Sequence, residues 1–428
     1  MRTATVTDCI VCGTGATGLA AALALSATGL EVALIGPRPA RADTRTAALF
    51  AGSIELLRAL GVWDELAPQS APLRAIRLVD DTESLLRAPE VLFEAREAGL
   101  AAFGHNVPNA ALAAALAAQA AGTARISWTS EAVLAALAPG PSDVIATTAD
   151  GRTIAARLAV AADGRGSPCR TAAGISVESW DYPQSAIATT FGHGRPHDGV
   201  STEFHRAAGP LTTVPLPGLA SSLVWVERPA IAARLASLDD AAFRAALETR
   251  LAGLLGTVGE IGPRRVFPLA GLEAARLGQN RVALVGEAAH VIPPIGAQGL
   301  NLGLRDAATL AEVLAAARSH GGDIGGADML ESYHEARARD VASRTRGVDL
   351  LNRSLLSELL PAQLARGAGL HALKTIAPLR RWAMAAGMAP PGPLPRLMQP
   401  GGGGLLEERG GTPGPRVADW LPPPEPGA

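Results

Sequence analysis

The first thirty-five residues contain the pattern that most restricts how this chain can fold. Residues 5–12 are predicted to form a strand, 16–28 an alanine-rich helix and 31–35 a second strand. Between the first strand and the helix stands Gly13-x-Gly15-x-x-Gly18, where glycine permits a tight turn and lets the backbone approach a pyrophosphate closely. This motif is weak alone, but here a strand and a helix flank it as a dinucleotide fold requires. The sequence therefore predicts an α/β fold that opens with a Rossmann-like βαβ unit.

The end of the second strand departs from the usual dinucleotide pattern. An acidic residue is expected there to bind the ribose hydroxyls, and this chain has Gly36 instead. Arg38 follows two residues later and would suit a phosphorylated ribose, as in NADP. A plain NAD(P)-dependent dehydrogenase is thus an alternative, although it would explain only this first motif.

Two further turns follow buried strands. Asp163-Gly164 closes the apolar run TIAARLAVAADG, and the aspartate is suited to accept hydrogen bonds from main chain or ribose. The segment from Gly286 to Asp306 begins after RVALV, passes through a Pro/Gly-rich turn and ends in a helical pattern. A strand, a loop and a helix N-terminus in this order predict a site for an anionic or electron-rich group.

Hydrophobicity patterns outline the rest of the chain. We predict helices over 46–60, from Asn109 onward, over 325–346 and through 350–388, and strands near 76–81 and 154–164. Segment 181–268 contains several β-like runs around one helical stretch, which predicts a mainly antiparallel sheet inserted into the α/β fold.

Composition excludes several classes of protein. The chain has 428 residues, 48% of them hydrophobic and 18% charged, which is globular rather than disordered. A net charge of −2 argues against a general nucleic-acid binder. No secretory signal or transmembrane helix is expected, because the apolar stretches are too short or are interrupted.

The three cysteines are interpreted as structural. Cys9 and Cys12 form a C-x-x-C, but they lie inside an apolar strand on opposite faces, so they would not share a metal. The histidines at 193, 197 and 205 have no metal-like spacing and are interpreted as loop or surface residues. No metal is expected, and a reduced, cytoplasmic protein fits this cysteine usage.

Together the three turns resemble a known family, the class A flavin monooxygenases that include para-hydroxybenzoate hydroxylase. Within that family the chain is most similar to the ubiquinone-biosynthesis hydroxylases. The resemblance covers roughly residues 6–395 and extends to DTRTAALFAGSIELLRALGVWDEL at 43–66, GPLTTVPLP, SSLVWVE and PLRRWAMAAGM.

The resemblance implies a Rossmann-like FAD-binding domain with an inserted, mainly antiparallel β-sheet substrate domain and C-terminal helices. The expected FAD-binding domain is discontinuous and comprises 1–75, 96–180 and 269–345. The substrate domain comprises 76–95 and 181–268. A helical region at 346–395 and a Pro/Gly-rich, disordered tail at 396–428 complete the expected organisation.

The resemblance also implies which residues bind FAD. The pyrophosphate would lie against the first turn, Glu287 would hold the ribityl chain, and Asp163 would face both FAD and its reductant. The full implied set is Gly13, Gly15, Ala16, Gly18, Arg45, Asn109, Asp163, Glu287, Pro294, Gly299, Leu300 and Asn301. Three positions differ from the family pattern, namely Gly36 for an acid, Glu287 for Asp and Ala297 for Gly.

The reaction that the resemblance implies is hydroxylation of an aromatic ring by one oxygen atom of O2, through a flavin C4a-hydroperoxide. The helix start after Pro294 would stabilise negative charge on the flavin. No catalytic base is named from the sequence, and His290 is interpreted as a structural hydrogen-bond donor. NAD(P)H or a ferredoxin-type donor would supply the electrons.

The expected substrate is a polyprenylated phenol of ubiquinone biosynthesis. Segment 346–396 combines apolar runs with cations, among them Arg353, Arg366, Lys374, Arg380, Arg381 and Arg396, which suits a peripheral contact with the inner face of the membrane or with other quinone-biosynthesis proteins. A C-terminal helix packed on the FAD domain explains the same pattern. Two other functions stay open, an NAD(P)H-dependent hydroxylase of a small soluble phenol and a catalytically silent flavin-binding accessory subunit.

Overall fold

The computed structural model describes residues 5–39, 43–82, 88–356, 360–388 and 392–402. In chain order the strands are β1 (Thr5–Cys12), β2 (Val32–Ile35), β3 (Thr46–Phe50), β4 (Ala71–Pro72), β5 (Ala75–Asp80), β6 (Val91–Glu94), β7 (Gly104–Pro108), β8 (Ile126–Thr129), β9 (Leu134–Pro139), β10 (Val144–Thr148), β11 (Thr153–Ala161), β12 (Val177–His193), β13 (Val200–His205), β14 (Leu211–Leu216), β15 (Ala220–Glu227), β16 (Val258–Ile261), β17 (Arg265–Ala274), β18 (Gly278–Gln279), β19 (Val282–Leu284) and β20 (His290–Val291). The helices are α1 (Ala16–Ala27), α2 (Ala51–Ala59), α3 (Trp63–Leu66), α4 (Asn109–Gly122), α5 (Pro168–Ala172), α6 (Pro229–Ser237), α7 (Asp240–Leu251), α8 (Gln298–Ser319), α9 (Ala327–Leu356), α10 (Leu360–Thr375) and α11 (Ala377–Met388).

The first sheet confirms the predicted Rossmann-like unit. Its strand order is β18-β19-β11-β1-β2-β8, with β19, β11, β1, β2 and β8 parallel to one another. Helices α1, α4 and α8 pack together beside it, and β1 and β2 are buried between layers, as their continuous apolar runs require. This arrangement is the α/β fold that the sequence predicts.

The parallel register explains why three distant turns meet. Cys12 pairs with Ala161 and Ala161 pairs with Leu284, so β1, β11 and β19 end at the same edge of the sheet. The turns that follow these strands therefore lie side by side. Ligands of open α/β sheets bind at the carboxyl ends of the strands.

The second sheet is the inserted, mainly antiparallel one. Its order is β20-β17-β12-β15-β14-β13-β5-β6, with β16 also paired to β12 and only β13–β5 parallel. One face is covered by α6 and α7 through an apolar cluster that includes Trp225, Phe243 and Leu247. The opposite face, here called the inner face, contacts β3, where the Thr46 hydroxyl donates a hydrogen bond to that of Ser222 at 2.8 Å. A three-stranded sheet, β3-β7-β4, lies between the two larger sheets.

The prediction of a helix over 46–60 was partly wrong. Residues 46–50 form β3, which pairs with β7 from Thr46–Pro108 to Phe50–Gly104, and only then does α2 begin. The alanine-rich letters of this segment favour a helix locally, but pairing with a distant strand overrides that preference.

The C-terminal helices close the molecule on the side of the inner face. Helix α9 packs against α8, and α11 packs on the 3-10 turn Ala95–Ala98, where Arg380 forms an ion pair with Glu97 at 2.6 Å. None of the described helices combines the length and apolarity that crossing a membrane requires.

The first residues of the expected disordered tail, 396–402, are placed by the structure and lie against the rest of the chain. Arg396–Met398 form a 3-10 helix, and Leu397 and Met398 are buried in the core of the first domain beside Gly52. Their apolar side chains explain this packing, which composition alone did not reveal. The rest of the predicted tail, 403–428, lies outside the described residues.

Candidate active site

The first turn is built by glycines that allow close packing. Gly13 has φ +111°, and a Cβ there would lie 2.2 Å from the carbonyl oxygen of Ala162. A Cβ on Gly18 would lie 2.1 Å from the carbonyl oxygen of Gly13. These two glycines therefore bring the start of α1 close to Ala162, just after β11, and place the first turn beside the Asp163 turn. Gly15 differs, because a Cβ there would meet nothing within 4 Å.

Two helices begin at this edge of the first sheet with N-termini that no side chain caps. Gly15 is the N-cap of α1 and Ala297 that of α8, and neither helix has a side-chain cap or an acidic residue in its first turn. The four free N–H groups and the dipole at a helix start favour an anion. Ala16, the first residue of α1, lies at this start. The two helix starts therefore form a cradle suited to a pyrophosphate and an electron-rich ring.

Asp163 adds a buried acceptor to the cradle. Its Oδ2 accepts a hydrogen bond from the backbone N–H of Cys169 at 3.0 Å. Its Oδ1 is buried and has no partner among the described residues. A buried acceptor without a donor is costly, so this oxygen is suited to a ligand hydroxyl. The residues present thus fit FAD.

Arg45, Asn109 and Asp43 form a polar cluster next to the helix starts. Arg45 forms an ion pair with Asp43 at 2.7 Å, and the backbone N–H of Asn109 donates to the carbonyl of Arg45 at 2.9 Å. Burial alone would raise the pKa of the Asp43 carboxyl, but the hydrogen bonds from Arg45 hold it below its ordinary value.

Glu287 faces this cluster. The hydrogen bond to Asp43 is the main reason that the pKa of Arg45 is raised, and the charge of Glu287 adds to it. Glu287 lies in the 3-10 turn Gly286–Ala288 that follows β19 and is exposed. Arg45, Asn109 and Glu287, three of the residues implied to bind FAD, therefore lie near one another.

The local structure explains why Gly36 stands where the family pattern has an acidic residue that binds the ribose. Gly36 has φ +148°, and a Cβ there would lie 2.9 Å from the Thr14 side chain. The carbonyl of Gly36 accepts a hydrogen bond from Trp128 Nε1 at 3.0 Å, and the guanidinium of Arg38 lies 5.0 Å from the centre of the Trp128 ring. The backbone after β2 is therefore built around glycine.

The loop before α8 has two consecutive residues in the left-handed conformation, Gly296 at φ +64° and Ala297 at φ +54°. Pro294 and Gly299 are exposed and Leu300 is half-buried, so this side of the loop is open. Left-handed backbone at the helix start turns successive N–H groups toward one side. Glycine would suit position 297, and alanine occupies it with some strain.

Asn301 has a positioning role rather than an open side chain. Its Oδ1 accepts from the Phe50 N–H and the Ser53 hydroxyl, and its Nδ2 donates to the carbonyls of Ala48 and Ala297. All four hydrogen-bonding capacities of the amide are used inside the protein. The side chain holds α8 against β3 and α2 and leaves the ring space to its neighbours.

A buried ionic network fixes the loop from behind, here called the Asp306 network. The Asp306 carboxylate accepts from Gly286 N–H at 3.0 Å, His290 Nε2 lies 2.6 Å from it, and Arg337 Nε donates at 2.8 Å. Arg337 and Arg305 also reach Asp340. Burial would raise the pKa of Asp306, but the charges of His290 and Arg337 hold it low. The interpretation of His290 as a structural hydrogen-bonding residue agrees with this geometry.

The cysteines lie under the first turn. Cys9 and Cys12 are buried in β1, and the buried Cys169 lies beside Cys12. This contact and burial raise the pKa of Cys169, and burial raises that of Cys9. Both groups are therefore neutral thiols that fill the core.

The interpretation of three histidines as loop or surface residues was wrong for two of them. His193 and His205 lie at the ends of β12 and β13 and are buried, because their strands occupy the second sheet. His197 is in a loop, with both ring nitrogens hydrogen-bonded to backbone.

Sequence reasoning also missed Asp43, Asp306 and Arg337. Asp43 stands two residues before Arg45 in segment 43–66, and Asp306 ends the segment from Gly286 to Asp306. Both positions could therefore have been identified from the sequence. Arg337 lies on α9, and nothing in its local sequence indicates burial.

Comparisons with known proteins identify the family of this chain. The FAD binding domain family matches residues 6–347. A ubiquinone hydroxylase, UbiL, of Rhodospirillum rubrum is 36% identical over 92% of this chain and 93% of its own length. The 3-demethoxyubiquinol 3-hydroxylase of Escherichia coli is 32% identical over 88% of this chain and 97% of its own.

A solved structure shows the same fold. The p-nitrophenol 4-monooxygenase PnpA of Pseudomonas putida superposes with a TM-score of 0.73 over 91% of this chain and 99% of its own, at 19% identity. The predicted fold class and the predicted family are thus confirmed. The chain belongs to the FAD-binding domain family, among the FAD-dependent monooxygenases related to the ubiquinone hydroxylases.

Proposed function

We propose that the protein inserts one oxygen atom of O2 into the aromatic ring of a polyprenylated phenol in ubiquinone biosynthesis. The observation that carries the proposal is the meeting of three turns and two unblocked helix starts below the inner face of the second sheet. The names of the two bacterial relatives support the choice of pathway. A small soluble phenol and a silent accessory role are less favoured.

The described residues suggest how FAD is held. The pyrophosphate would lie at Gly13, Gly15, Ala16 and Gly18, where α1 begins, with Asp163 Oδ1 accepting from a hydroxyl of the cofactor. Arg45 and Asn109 would contact FAD from one side and Glu287 would bind the ribityl hydroxyls from the other. The isoalloxazine ring would lie against Pro294, Gly299 and Leu300, while Asn301 fixes the helix below them.

Bound FAD, once reduced, would supply the two electrons that activate O2, a chemistry that protein side chains do not provide. The protein contributes the start of α8, whose N–H groups stabilise negative charge on the ring, and a roof that excludes water. That roof is the inner face of the second sheet. Thr212, Val214 and Val224 are only half-buried there although they lie in central strands, so opposing side chains leave room for a substrate.

The division into an FAD-binding domain (1–75, 96–180, 269–345) and a substrate domain (76–95, 181–268) is part of this proposal. Strands β6, β13, β14, β15 and β16 of the second sheet lie within the proposed substrate domain, whereas β20 and the last residues of β17 lie within 269–345. The reductant, NAD(P)H or a ferredoxin-type donor, is to be identified by following bleaching of the flavin under anaerobic conditions with each donor in turn.

Two measurements test the function. A strain lacking the gene should accumulate a quinone precursor that lacks one ring hydroxyl, detected by mass spectrometry of its lipid extract. Purified protein should be yellow, release FAD on denaturation and consume oxygen faster with a prenylated phenol. Normal quinone levels in the deletion strain would refute the pathway assignment, and flavin without substrate-stimulated oxygen use would favour the accessory role.

We also propose that the C-terminal helices contact the cytoplasmic face of the membrane. Leu350, Ile376 and Trp382 are exposed by 72%, 49% and 66%. Arg381 and Lys374 are exposed next to them, and no ion pair of either is recorded in the described parts of the chain. Exposed apolar side chains beside cations suit an anionic lipid surface. Other cations of this segment, Arg353 and Arg380, are paired with Asp349 and Glu97 instead.

Flotation with vesicles of phosphatidylethanolamine and phosphatidylglycerol tests this contact. The double variant I376Q/W382Q should lose most of its binding. V133Q is the matched control, because Val133 is 61% exposed but lies in the first domain. Equal binding of all three proteins, or no binding by the wild type, would contradict the proposed contact.

A further inference from the structure

A buried acid–histidine pair lies on β13 outside the set of residues assigned to FAD. His205 Nε2 is 2.7 Å from Glu203 Oε1, and the two residues are only 4% and 9% exposed. The other ring nitrogen of His205, Nδ1, is buried and has no hydrogen-bond partner among the described residues. Charged and polar groups are rarely buried in this way without a use.

The pair stands on the inner face of the second sheet. Glu203 pairs with Thr212, Thr212 with Val224 and Val224 with Ala188, and directly paired residues share a face. Phe204, between the two residues of the pair, belongs to the apolar cluster on the opposite face. Because side chains alternate along a strand, Glu203 and His205 both point to the inner face. Thr212 and Val224 are half-buried on the same face.

The inner face is enclosed by the parts of the molecule that form the flavin site. Ser222 on this face accepts a hydrogen bond from Thr46, the neighbour of Arg45, at 2.8 Å. On the other side of the pair, Ile76 and Phe93 pack on the cluster that contains Met384 of α11. The pair thus lies on a face bounded by the Arg45 cluster at one end and by the C-terminal helices at the other.

The hydrogen bond within the pair determines whether Nδ1 of His205 is a hydrogen-bond donor or an acceptor. With the carboxylate of Glu203 accepting from Nε2–H, Nδ1 carries a lone pair and is an acceptor. Asp80, which is paired with His205 across the strands, is engaged by the backbone N–H of Ala88 and by Thr82. A ligand that brings an O–H group to Nδ1 would satisfy the remaining buried nitrogen.

We propose that Glu203 and His205 bind the ring hydroxyl of the substrate and take up its proton, an inference that rests on the proposed phenol hydroxylation. The phenol O–H bond breaks, the electron pair stays on oxygen and the proton forms a bond to His205 Nδ1. Glu203 stabilises the resulting imidazolium. The proton returns to the same oxygen when the product leaves, so no electrons are exchanged at the pair. A phenolate ring is richer in electrons and is the better nucleophile toward activated oxygen.

The test compares two probes that differ only at the hydroxyl, 2-geranylphenol and its methyl ether. Binding of each to the holoenzyme is followed by the change in flavin absorbance, and hydroxylated product is measured against oxygen consumed. Variants H205Q and E203Q are both made, so that the test does not depend on the folding of one. H193Q is the control, because His193 is also buried at a strand end but has both ring nitrogens bonded, to Arg195 and Ser221.

The wild type should bind the phenol at least about tenfold more tightly than the ether. In H205Q and E203Q this ratio should fall to about one to three, and product per oxygen consumed should drop about tenfold or more. FAD content should stay unchanged in both, and H193Q should keep the wild-type ratio.

The outcomes separate this inference from the function on which it rests. A wild type that hydroxylates the phenol, with variants that keep its binding ratio and its product yield, would overturn the role of the pair and leave the function standing. A wild type that discriminates between the probes through the pair but forms no product would overturn the function instead. No discrimination by the wild type would overturn the role of the pair.

Discussion

At the scale of single residues, Ala297 shows how a departure from a family pattern is absorbed. Its φ of +54° is a conformation that glycine adopts freely, and alanine occupies it at a cost of about 1 kcal/mol. Because the backbone already has the glycine-like shape, the N–H groups of the loop are where a glycine would put them. The change from glycine to alanine at this position is therefore compatible with the loop geometry.

A297G should accordingly stabilise the apoprotein by roughly 0.5–1 kcal/mol, since relief of strain outweighs the extra freedom of the unfolded chain. The affinity for FAD should change by less than about threefold. Urea unfolding and flavin titration measure the two quantities. The control is A252G, because Ala252 has φ +47° at the end of α7, remote from the cradle. A loss of stability in A297G alone would show that its methyl group is needed.

Gly36 cannot be restored to the acid of the family pattern. G36E should destabilise the protein by more than about 2 kcal/mol, because an L residue is strained there and its Cβ meets Thr14. G151E separates the two causes, since Gly151 has φ +81° but open space around it. Thermal unfolding compares them. If G36E were as stable as the wild type and bound FAD more tightly, the local explanation for the missing acid would be wrong.

At the scale of elements, the Asp306 network connects the flavin loop to α8 and α9. Asp306 alone contacts the Gly286 turn, β20 through His290 and α9 through Arg337. Removing one partner of a buried ionic group leaves the others uncompensated. The Asp306 network thus anchors the loop on its buried side, while Pro294 and Gly299 on its other side are exposed.

D306N should cost about 3–5 kcal/mol of unfolding free energy and weaken FAD binding, because Gly286 and His290 lose their common anchor. The matched control is D323N. Asp323 also pairs with a buried arginine, Arg281, but is 43% exposed and lies away from the cradle. Its loss should cost about 1 kcal/mol or less without affecting FAD. Similar FAD affinities in the two variants would show that the network does not position the loop.

Elements whose formation depends on a local apolar pattern were predicted from the sequence, whereas elements that depend on distant contacts were missed. Helix α1 and strands β1 and β2 were predicted because their apolar patterns are local and strong. Strand β3 was missed because its partner, β7, lies some sixty residues away in the chain and only pairing distinguishes it from a helix start. The same reason applies to Leu397 and Met398, whose burial depends on contacts with α2.

At the scale of the whole molecule, several carboxylates make the free energy of unfolding depend on pH in the acid range. The arginines around it lower the pKa of Asp340 from 3.8 to about 2 against the effect of burial, and the pKa of Asp306 and Asp43 is lowered as well. A carboxyl with a depressed pKa contributes stability above its ordinary pKa and loses it as pH falls toward the folded value. The affected window is therefore about pH 4 to 2.

The unfolding free energy of the apoprotein should thus stay nearly constant from pH 7 to 5 and fall between pH 4 and 2. Asp340 alone should account for roughly 2 kcal/mol of the fall. Urea unfolding across this range measures it, and D340N should show a shallower acid loss from a lower starting value. An equally steep loss in D340N would assign the acid sensitivity to other groups.

The site as a whole could be predicted only in part. The three turns were found because each has glycine or aspartate at a strand end, and parallel strands bring such ends together. Glu203 and His205 were not found, since their meaning depends on which face of β13 is turned inward. That orientation is decided by the pairing of β13 with β5 and β14 and not by the residues themselves.

The carbonyl of Gly387 joins two parts of the molecule that perform different tasks. It accepts from Gln298 Nε2, at the start of α8, at 3.1 Å and from Arg344 Nη1, on α9, at 2.9 Å. Any outward movement of α11 to admit a long lipid chain must break both contacts. If substrate enters by this movement, the contacts that hold α11 closed contribute both to cofactor retention and to the barrier against substrate entry, and linkage makes the effect mutual. Such an enzyme would hold its flavin most firmly when closed and admit substrate most easily when that hold is weakest.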